Sequence, residues 1–170
     1  MNIKCGFNFT QFETDPDTVQ STARLGYNFG VDFRIGESGI FQPGCHFYRI
    51  QTELKTKDEI AVEDSFADEV LLNAFRVPAN LGFFLVNDED FKIWLVAGPS
   101  FWIPVGVTED GSGLEIDDLR PFFIAGSGSV TVQFWKISLE GVYDKGFTQL
   151  HDRYAQSKTT TWGVNLGYVF

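Results

Sequence analysis

The sequence predicts an all-β protein: an eight-stranded antiparallel up-and-down transmembrane β-barrel with short periplasmic turns and long extracellular loops, occupying residues 1–170 as a single domain. Three observations predict this fold. Apolar and polar residues alternate with a period of two over long segments, which is typical of strands with two different faces. The 17 glycines lie inside apolar segments more often than between them. The connections between segments alternate in length, so the long loops share one end of the sheet.

Composition and charge exclude several other classes of protein. The chain has 13 basic and 23 acidic side chains, and its net charge of −10 argues against binding to nucleic acid. The hydrophobic fraction of 44% is too high for a disordered chain. Two cysteines are too few for a disulfide scaffold, and Cys45 and His46 would point to opposite faces of a strand. We therefore expect no metal site and no cofactor.

The first, second and last strands show the alternation most clearly. In the second strand, an apolar face from Leu25 to Ile35 opposes a face of Arg, Gly, Asn and Asp residues. The segment from Ala125 to Ser129 is small on both faces, so its phase is ambiguous, and its glycines are interpreted as room for bulky lumen side chains. Five further strands are predicted at about residues 40–53, 72–86, 91–103, 120–132 and 135–143.

The connections follow a short and long rhythm. Only Val62–Leu72 is expected to form a helical turn or two, with Asp64 or Ser65 as the N-cap. Two of the long loops are strongly acidic. Short turns are predicted at 36–39, 87–90 and near Gln133–Phe134, and long loops at about 11–21, 54–71, 104–119 and 144–160.

The volume and charge of the two faces decide which face lines the barrel. An eight-stranded barrel has an interior just wide enough for side chains to fill, and the many large aromatic residues would overfill it. An Arg on the lipid face costs roughly 2 to 4 kcal/mol at the bilayer midplane, and the apolar faces of the clearest strands carry no charge. The residues predicted to face lipid are Phe7, Phe9, Leu25, Tyr27, Phe29, Val31, Phe33, Phe83, Leu95, Trp162, Leu166, Tyr168 and Phe170.

The polar face is predicted to fill the lumen and to leave no open pore. Its charges can pair across the interior, and Glu140 is predicted to compensate one of the lumen cations. The alternative is a soluble lipocalin-like carrier, which would hold its large apolar residues inside around a ligand. The predicted lumen network comprises Arg24, Asn28, Asp32, Arg34, His46, Arg76, Asn80, Lys92, Lys136, Glu140 and Asn165.

Six segments together indicate a family by their order and spacing. They are Gly6–Asn8, Leu25–Val31, Phe41–Gly44, Arg76–Leu81, Leu95–Phe101 and Leu166–Phe170. In these segments the chain resembles the PorT-like outer-membrane β-barrel family of Bacteroidota. The resemblance implies the outer membrane of a Gram-negative bacterium, with chain ends in the periplasm and a closing Phe170 similar to a barrel-insertion signal. The family's name-giving member is linked to protein secretion, but the resemblance implies the fold and location and not the task. The function expected for this chain is a structural or interaction role in the cell envelope, accessory to protein secretion.

An enzyme that modifies lipid A is a second alternative. Such a site needs a serine and a histidine on one strand face, typically two residues apart, with an acid behind them. The residue two positions after His46 is Tyr48, and His151 lies in a charged loop. We therefore expect no catalytic residues. The expected partners are the lipid bilayer and lipopolysaccharide, with other envelope proteins meeting the acidic loops.

Overall fold

The computed structural model describes residues 1–13, 19–37, 39–56, 68–109, 120–148 and 158–170. Each strand pairs antiparallel with its neighbour in the sequence, and the last strand pairs with the first to close a barrel. The predicted fold class is confirmed. Within the described residues the strands are β1 (Asn2–Glu13), β2 (Val19–Asp32), β3 (Gly39–Thr56), β4 (Asp68–Asn87), β5 (Phe91–Glu109), β6 (Phe123–Phe134), β7 (Ile137–Gly146) and β8 (Lys158–Val169).

The register of the strands sets the shape of the barrel. A row of paired residues that starts at Phe83 on β4 passes once around the barrel and returns to β4 at Asn73, ten residues away. In an eight-stranded barrel a stagger of this size tilts the strands by about 40° and leaves an interior that side chains can fill.

The apolar face of the sheet is on the outside. Phe29, Phe83 and Leu166 keep 54%, 53% and 57% of their surface exposed, whereas the lumen side chain of Lys4 keeps 1%. Large apolar side chains at the centre would have supported a lipocalin-like carrier. The apolar residues of the clearest strands instead lie on the exterior, which argues against that alternative.

The middle strands are longer than the sequence predicts. β3, β4 and β5 have 18, 20 and 19 residues, so they extend into segments predicted as long loops. The helical turn predicted for Val62–Leu72 is wrong for residues 68–72, which begin β4, and the rest of that segment lies outside the described residues. Val70 pairs with Thr52 on β3 and with Glu109 on β5, so β4 has a neighbouring strand on each side at this position. No helix in the described part of the chain is long and apolar enough to span a membrane.

The third short turn lies two residues later than predicted. Phe134 pairs with Ile137, so the turn residues are Trp135 and Lys136. Trp135 has a φ of 53°, which matches the left-handed conformation that two-residue hairpins favour. Before this turn, the burial pattern of β6 places Ser127 inward, so Gly126 and Gly128 face outward and are not room for lumen side chains.

Candidate functional site

A buried ionic cluster occupies the lumen between β1, β2, β3 and β7. We call Lys4, Asp32, His46 and Glu140 the Lys4 cluster. Lys4 Nζ contacts Asp32 and donates to Glu140 Oε1 at 2.7 Å, and His46 Nε2 lies 2.8 Å from Asp32 Oδ1. These side chains are almost wholly buried. One lysine therefore serves two carboxylates, and the imidazole gives Asp32 a second partner.

Amide side chains extend the Lys4 cluster across the lumen. Asn28 Nδ2 donates to Asn165 Oδ1 at 2.6 Å, and Asn165 Nδ2 donates to Glu140 Oε2 at 2.9 Å. Thr131 adds a longer bond of 3.4 Å to Glu140 Oε1. Glu140 is therefore held by a cation, an amide and a hydroxyl from three different strands.

A second ionic cluster lies between β4, β6 and β7. We call Arg76, Asp144 and Ser127 the Arg76 cluster. The guanidinium of Arg76 contacts Asp144 through Nε and donates through Nη2 to Asp144 Oδ1 at 2.9 Å and to Ser127 Oγ at 2.6 Å. The rings of Tyr48 and Trp102 lie 6.0 Å from the Arg76 guanidinium carbon. The two-pronged contact uses the planar fork of arginine, which fits a carboxylate.

Aromatic residues fill the lumen at both ends. Towards the long connections, Trp102 stacks on Phe123 at 5.7 Å and meets the edge of Tyr48 at 4.8 Å, in a buried apolar group. Towards the short turns, Trp94 packs with Ile40 and Val96, and its Nε1 donates to Gln42 Oε1 at 3.0 Å. The polar middle of the lumen is thus closed above and below by packed rings.

Most of the predicted lumen residues lie where the sequence analysis expects them. Arg34 and Lys92 are half-buried at the end with the short turns, and the Arg34 guanidinium stacks 4.5 Å above Trp94. Sequence reasoning left Lys4 and Asp144 out of the network, although each is in phase with a predicted polar face. The fully buried members of the prediction are Asn28, Asp32, His46, Arg76, Asn80, Glu140 and Asn165.

Two predicted lumen residues lie elsewhere. Lys136 is exposed in the β6 to β7 turn, where its Nζ lies 5.5 Å from the Trp135 ring centroid and 5.9 Å from that of Tyr168. The later position of the turn removes Lys136 from the strand. Arg24 is exposed because the register of β2 shifts between Ala23 and Tyr27, which interrupts the alternation there.

The residues predicted to face lipid all lie on the outward face. Val31 and Leu95 are half-buried between their neighbours, and the other predicted residues are exposed. Rings at the outer surface pack on one another, as Phe47 does on Phe29 at 5.3 Å. A closed sheet leaves no unpaired edge, and its exterior matches hydrocarbon.

The barrel therefore spans a bilayer. An even-numbered antiparallel barrel with short turns at one end is the architecture of bacterial outer-membrane proteins. The protein is a small outer-membrane β-barrel of a Gram-negative bacterium, with the short turns between β2 and β3, β4 and β5, and β6 and β7 at one end.

Among the described residues, the buried titratable side chains of the lumen are joined in ion pairs, Lys4 with Asp32 and Glu140 and Arg76 with Asp144. His46 faces Asp32, and its nearest aromatic neighbour is the ring of Tyr48 at 6.5 Å. No group of three or more His, Cys, Asp or Glu residues with metal-binding geometry occurs in the part of the chain that the structure describes. Cys5 and Cys45 are free thiols on the outer face. His151 lies outside the described residues.

Comparison with known proteins finds likeness in solved structures only. No protein-family model matches the chain, and no curated protein matches it. The attachment invasion locus protein Ail of Yersinia pestis, solved with the heparin analogue sucrose octasulfate, is 11% identical over 98% of this chain and 95% of its own, with a TM-score of 0.47. The outer-membrane enzyme PagL is 9% identical over 100% of both chains, with a TM-score of 0.48. LpxR from Salmonella typhimurium is 10% identical over 91% of this chain and 55% of its own, with a TM-score of 0.37. At these values no activity transfers from them to this chain.

Proposed function

We propose that the protein is a structural or interaction component of the outer membrane that neither conducts solutes nor catalyses a reaction. The observation that carries the proposal is the filled lumen. Trp102 and Trp94 close its two ends, and the ionic clusters between them are paired across strands. A passage for solutes would need these packed and paired groups to separate, at a cost of several kcal/mol for each broken buried pair.

Membership of the PorT-like family and an accessory role in protein secretion are the finer form of this proposal. The segments quoted from the sequence support it, and the matching fold is compatible with it. Partner proteins would meet the acidic long loops, whose carboxylates include Asp58, Glu59, Asp117 and Asp118. These residues lie outside the described part of the chain, so this interaction is proposed from the sequence.

Conductance in a planar bilayer tests the filled lumen. We expect the reconstituted barrel to pass no stepwise current. An open porin reconstituted in the same bilayer is the positive control, and its stepwise current shows that the assay detects an open lumen. Stepwise current through the unchanged barrel would contradict the proposal.

Mass spectrometry of lipid A tests the enzyme alternative. We expect lipid A incubated with the folded barrel to keep all its acyl chains and phosphates. Loss of an acyl chain or a phosphate would establish an enzyme. A matched sample of the barrel unfolded by boiling controls for chemical hydrolysis.

A further inference from the structure

The outer wall carries an apolar groove across β4 to β8. Its volume is about 840 Å³. The floor is the backbone of the inward row that runs from Gly82 to Gly163. Two neighbouring register rows form the sides, one with Leu81, Ala97, Gly128, Tyr143 and Trp162, the other with Phe83, Leu95, Val130, Gly141 and Val164.

The groove exists because side chains are missing from its middle. A Cβ atom on Gly128 or Gly141 would meet nothing nearer than 4.0 Å and 3.8 Å, respectively. Gly126 faces the same way on β6, yet a Cβ atom there would lie 2.6 Å from the ring of Phe147. The chain thus covers one outward glycine with its own aromatic ring and leaves two neighbouring outward glycines open.

The groove lies in the part of the wall that contacts hydrocarbon. Its side chains carry no charge, and its two sides belong to the same outward face as Leu166 and Val132. Water would find no hydrogen-bond partners in the groove, because its lining is apolar. If the groove were empty, the side chains that line it would lose dispersion contacts. An acyl chain is the occupant that the bilayer supplies at this depth.

A cation and two rings mark the end of the groove nearest the long connections. Tyr143 and Trp162 pack with ring centroids 4.4 Å apart. Lys145 is exposed two residues beyond Tyr143 on the same face of β7, next to the connection to β8. Tyr and Trp favour the depth of lipid headgroups, and a lysine there attracts anionic lipid. The order of groove, rings and cation matches the order of acyl chain, headgroup boundary and phosphate in a lipid.

We propose that the groove holds an acyl chain of an anionic phosphate-bearing lipid of the outer leaflet, with the phosphate at Lys145. This inference rests on the proposed role in the outer membrane and names one lipid partner of that wall. A second copy of the chain is the competing occupant, and the test below distinguishes the two.

Native mass spectrometry of the detergent-purified full chain measures the binding. The probes are phosphatidylglycerol, which is anionic, and phosphatidylcholine, which has no net charge. The variant Gly128→Leu/Gly141→Leu fills the groove, and Lys145→Gln removes the cation. Cys45→Leu, which adds an apolar side chain to the outward face of β3, is the matched control. Slower migration after boiling verifies that each variant has folded.

The expected result is one phosphatidylglycerol retained by the unchanged barrel and by Cys45→Leu. The filled variant should bind at least about tenfold more weakly, and Lys145→Gln about fivefold more weakly, which corresponds to roughly 1 kcal/mol for one lysine at a membrane surface. Binding of phosphatidylcholine should not respond to Lys145→Gln. If the leucine variant does not fold, Gly128→Ala/Gly141→Ala narrows the same groove, and the expected order is unchanged.

Two results would overturn the proposal. One is equal retention of phosphatidylglycerol by the unchanged and filled barrels. The other is a dimer mass that disappears in the filled variant, which would assign the groove to a second copy. Conductance or lipid A cleavage would refute the proposed function and leave the lipid measurement valid.

Discussion

The two ionic clusters of the lumen solve the same problem in different ways. In the Lys4 cluster one ammonium forms ion pairs with two carboxylates, those of Asp32 and Glu140. In the Arg76 cluster one guanidinium forms a two-pronged ion pair with a single carboxylate, that of Asp144. Lysine is a compact charge that can contact acids from two directions, and arginine is a planar fork that matches one acid. The shared cluster should therefore depend more strongly on its cation, because removal of that cation leaves two buried acids without their main partner.

The largest effect is expected from Lys4→Met. Burial of an unpaired charge costs about 3 to 5 kcal/mol, and this change affects two carboxylates, so we expect the free energy of unfolding to fall by at least about 4 kcal/mol. Urea titration in lipid vesicles, followed by tryptophan fluorescence, measures it. The exposed Lys136→Met should change stability by less than about 0.5 kcal/mol. If Lys4→Met and Lys136→Met lowered the free energy of unfolding by the same amount, the proposed role of buried Lys4 as the partner of two carboxylates would be contradicted.

Arg76→Met is expected to cost somewhat less, about 3 kcal/mol, because it leaves one carboxylate unpaired. The double variant Arg76→Met/Asp144→Leu replaces the pair with apolar side chains and should recover most of the loss. A double-mutant cycle in the same urea titration gives the coupling between the two residues. Additive losses in that cycle would show that the pair does not act as a unit.

Glu140→Ala ranks third, with an expected loss of about 2 kcal/mol. Lys4 keeps Asp32 as a partner, but Asn165 loses its acceptor and a cavity is left. Thermal unfolding of Glu140→Ala in detergent should show a lower midpoint temperature than that of the unchanged protein. Glu140→Gln keeps the side-chain volume, so its midpoint should lie between those of Glu140→Ala and the unchanged protein. An unchanged midpoint in Glu140→Ala would count against its role as the counter-ion of Lys4.

The smallest effect is expected from His46→Gln. The glutamine amide can still donate to Asp32, whose contact with Lys4 persists, so we expect a loss of about 1 kcal/mol. Thermal unfolding of this variant beside Lys4→Met ranks the two partners of Asp32. A larger loss for His46→Gln would make the imidazole, and not the lysine, the principal partner of that carboxylate.

The sequence predicts the outer wall better than the contacts inside it. Alternation of residue type reports which face a side chain occupies, and Phe29 and Leu166 are outward as predicted. The pairing of Lys4 with Glu140 joins residues 136 positions apart. It depends on the register of β1 with β8 and of β8 with β7, which local periodicity does not carry.

Local irregularities explain the remaining differences. Arg24 adjoins a register shift in β2, and Lys136 falls in a turn whose position depends on where β6 and β7 stop pairing. The sequence does not predict that Gly128 and Gly141 face outward, because glycine has no side chain and adds nothing to the alternation of apolar and polar residues.

The seam between β1 and β8 has a consequence for assembly. All other neighbouring strands are joined by the next connection in the chain, so their hairpins can form locally, whereas Asn2 meets Val169 only after the intervening chain has folded. Because β1 and β8 lie at opposite ends of the sequence, we expect closure of this seam to follow formation of the local hairpins. A peptide with the sequence of Lys158–Val169, added during refolding, would compete for the free edge of β1 and trap the barrel open.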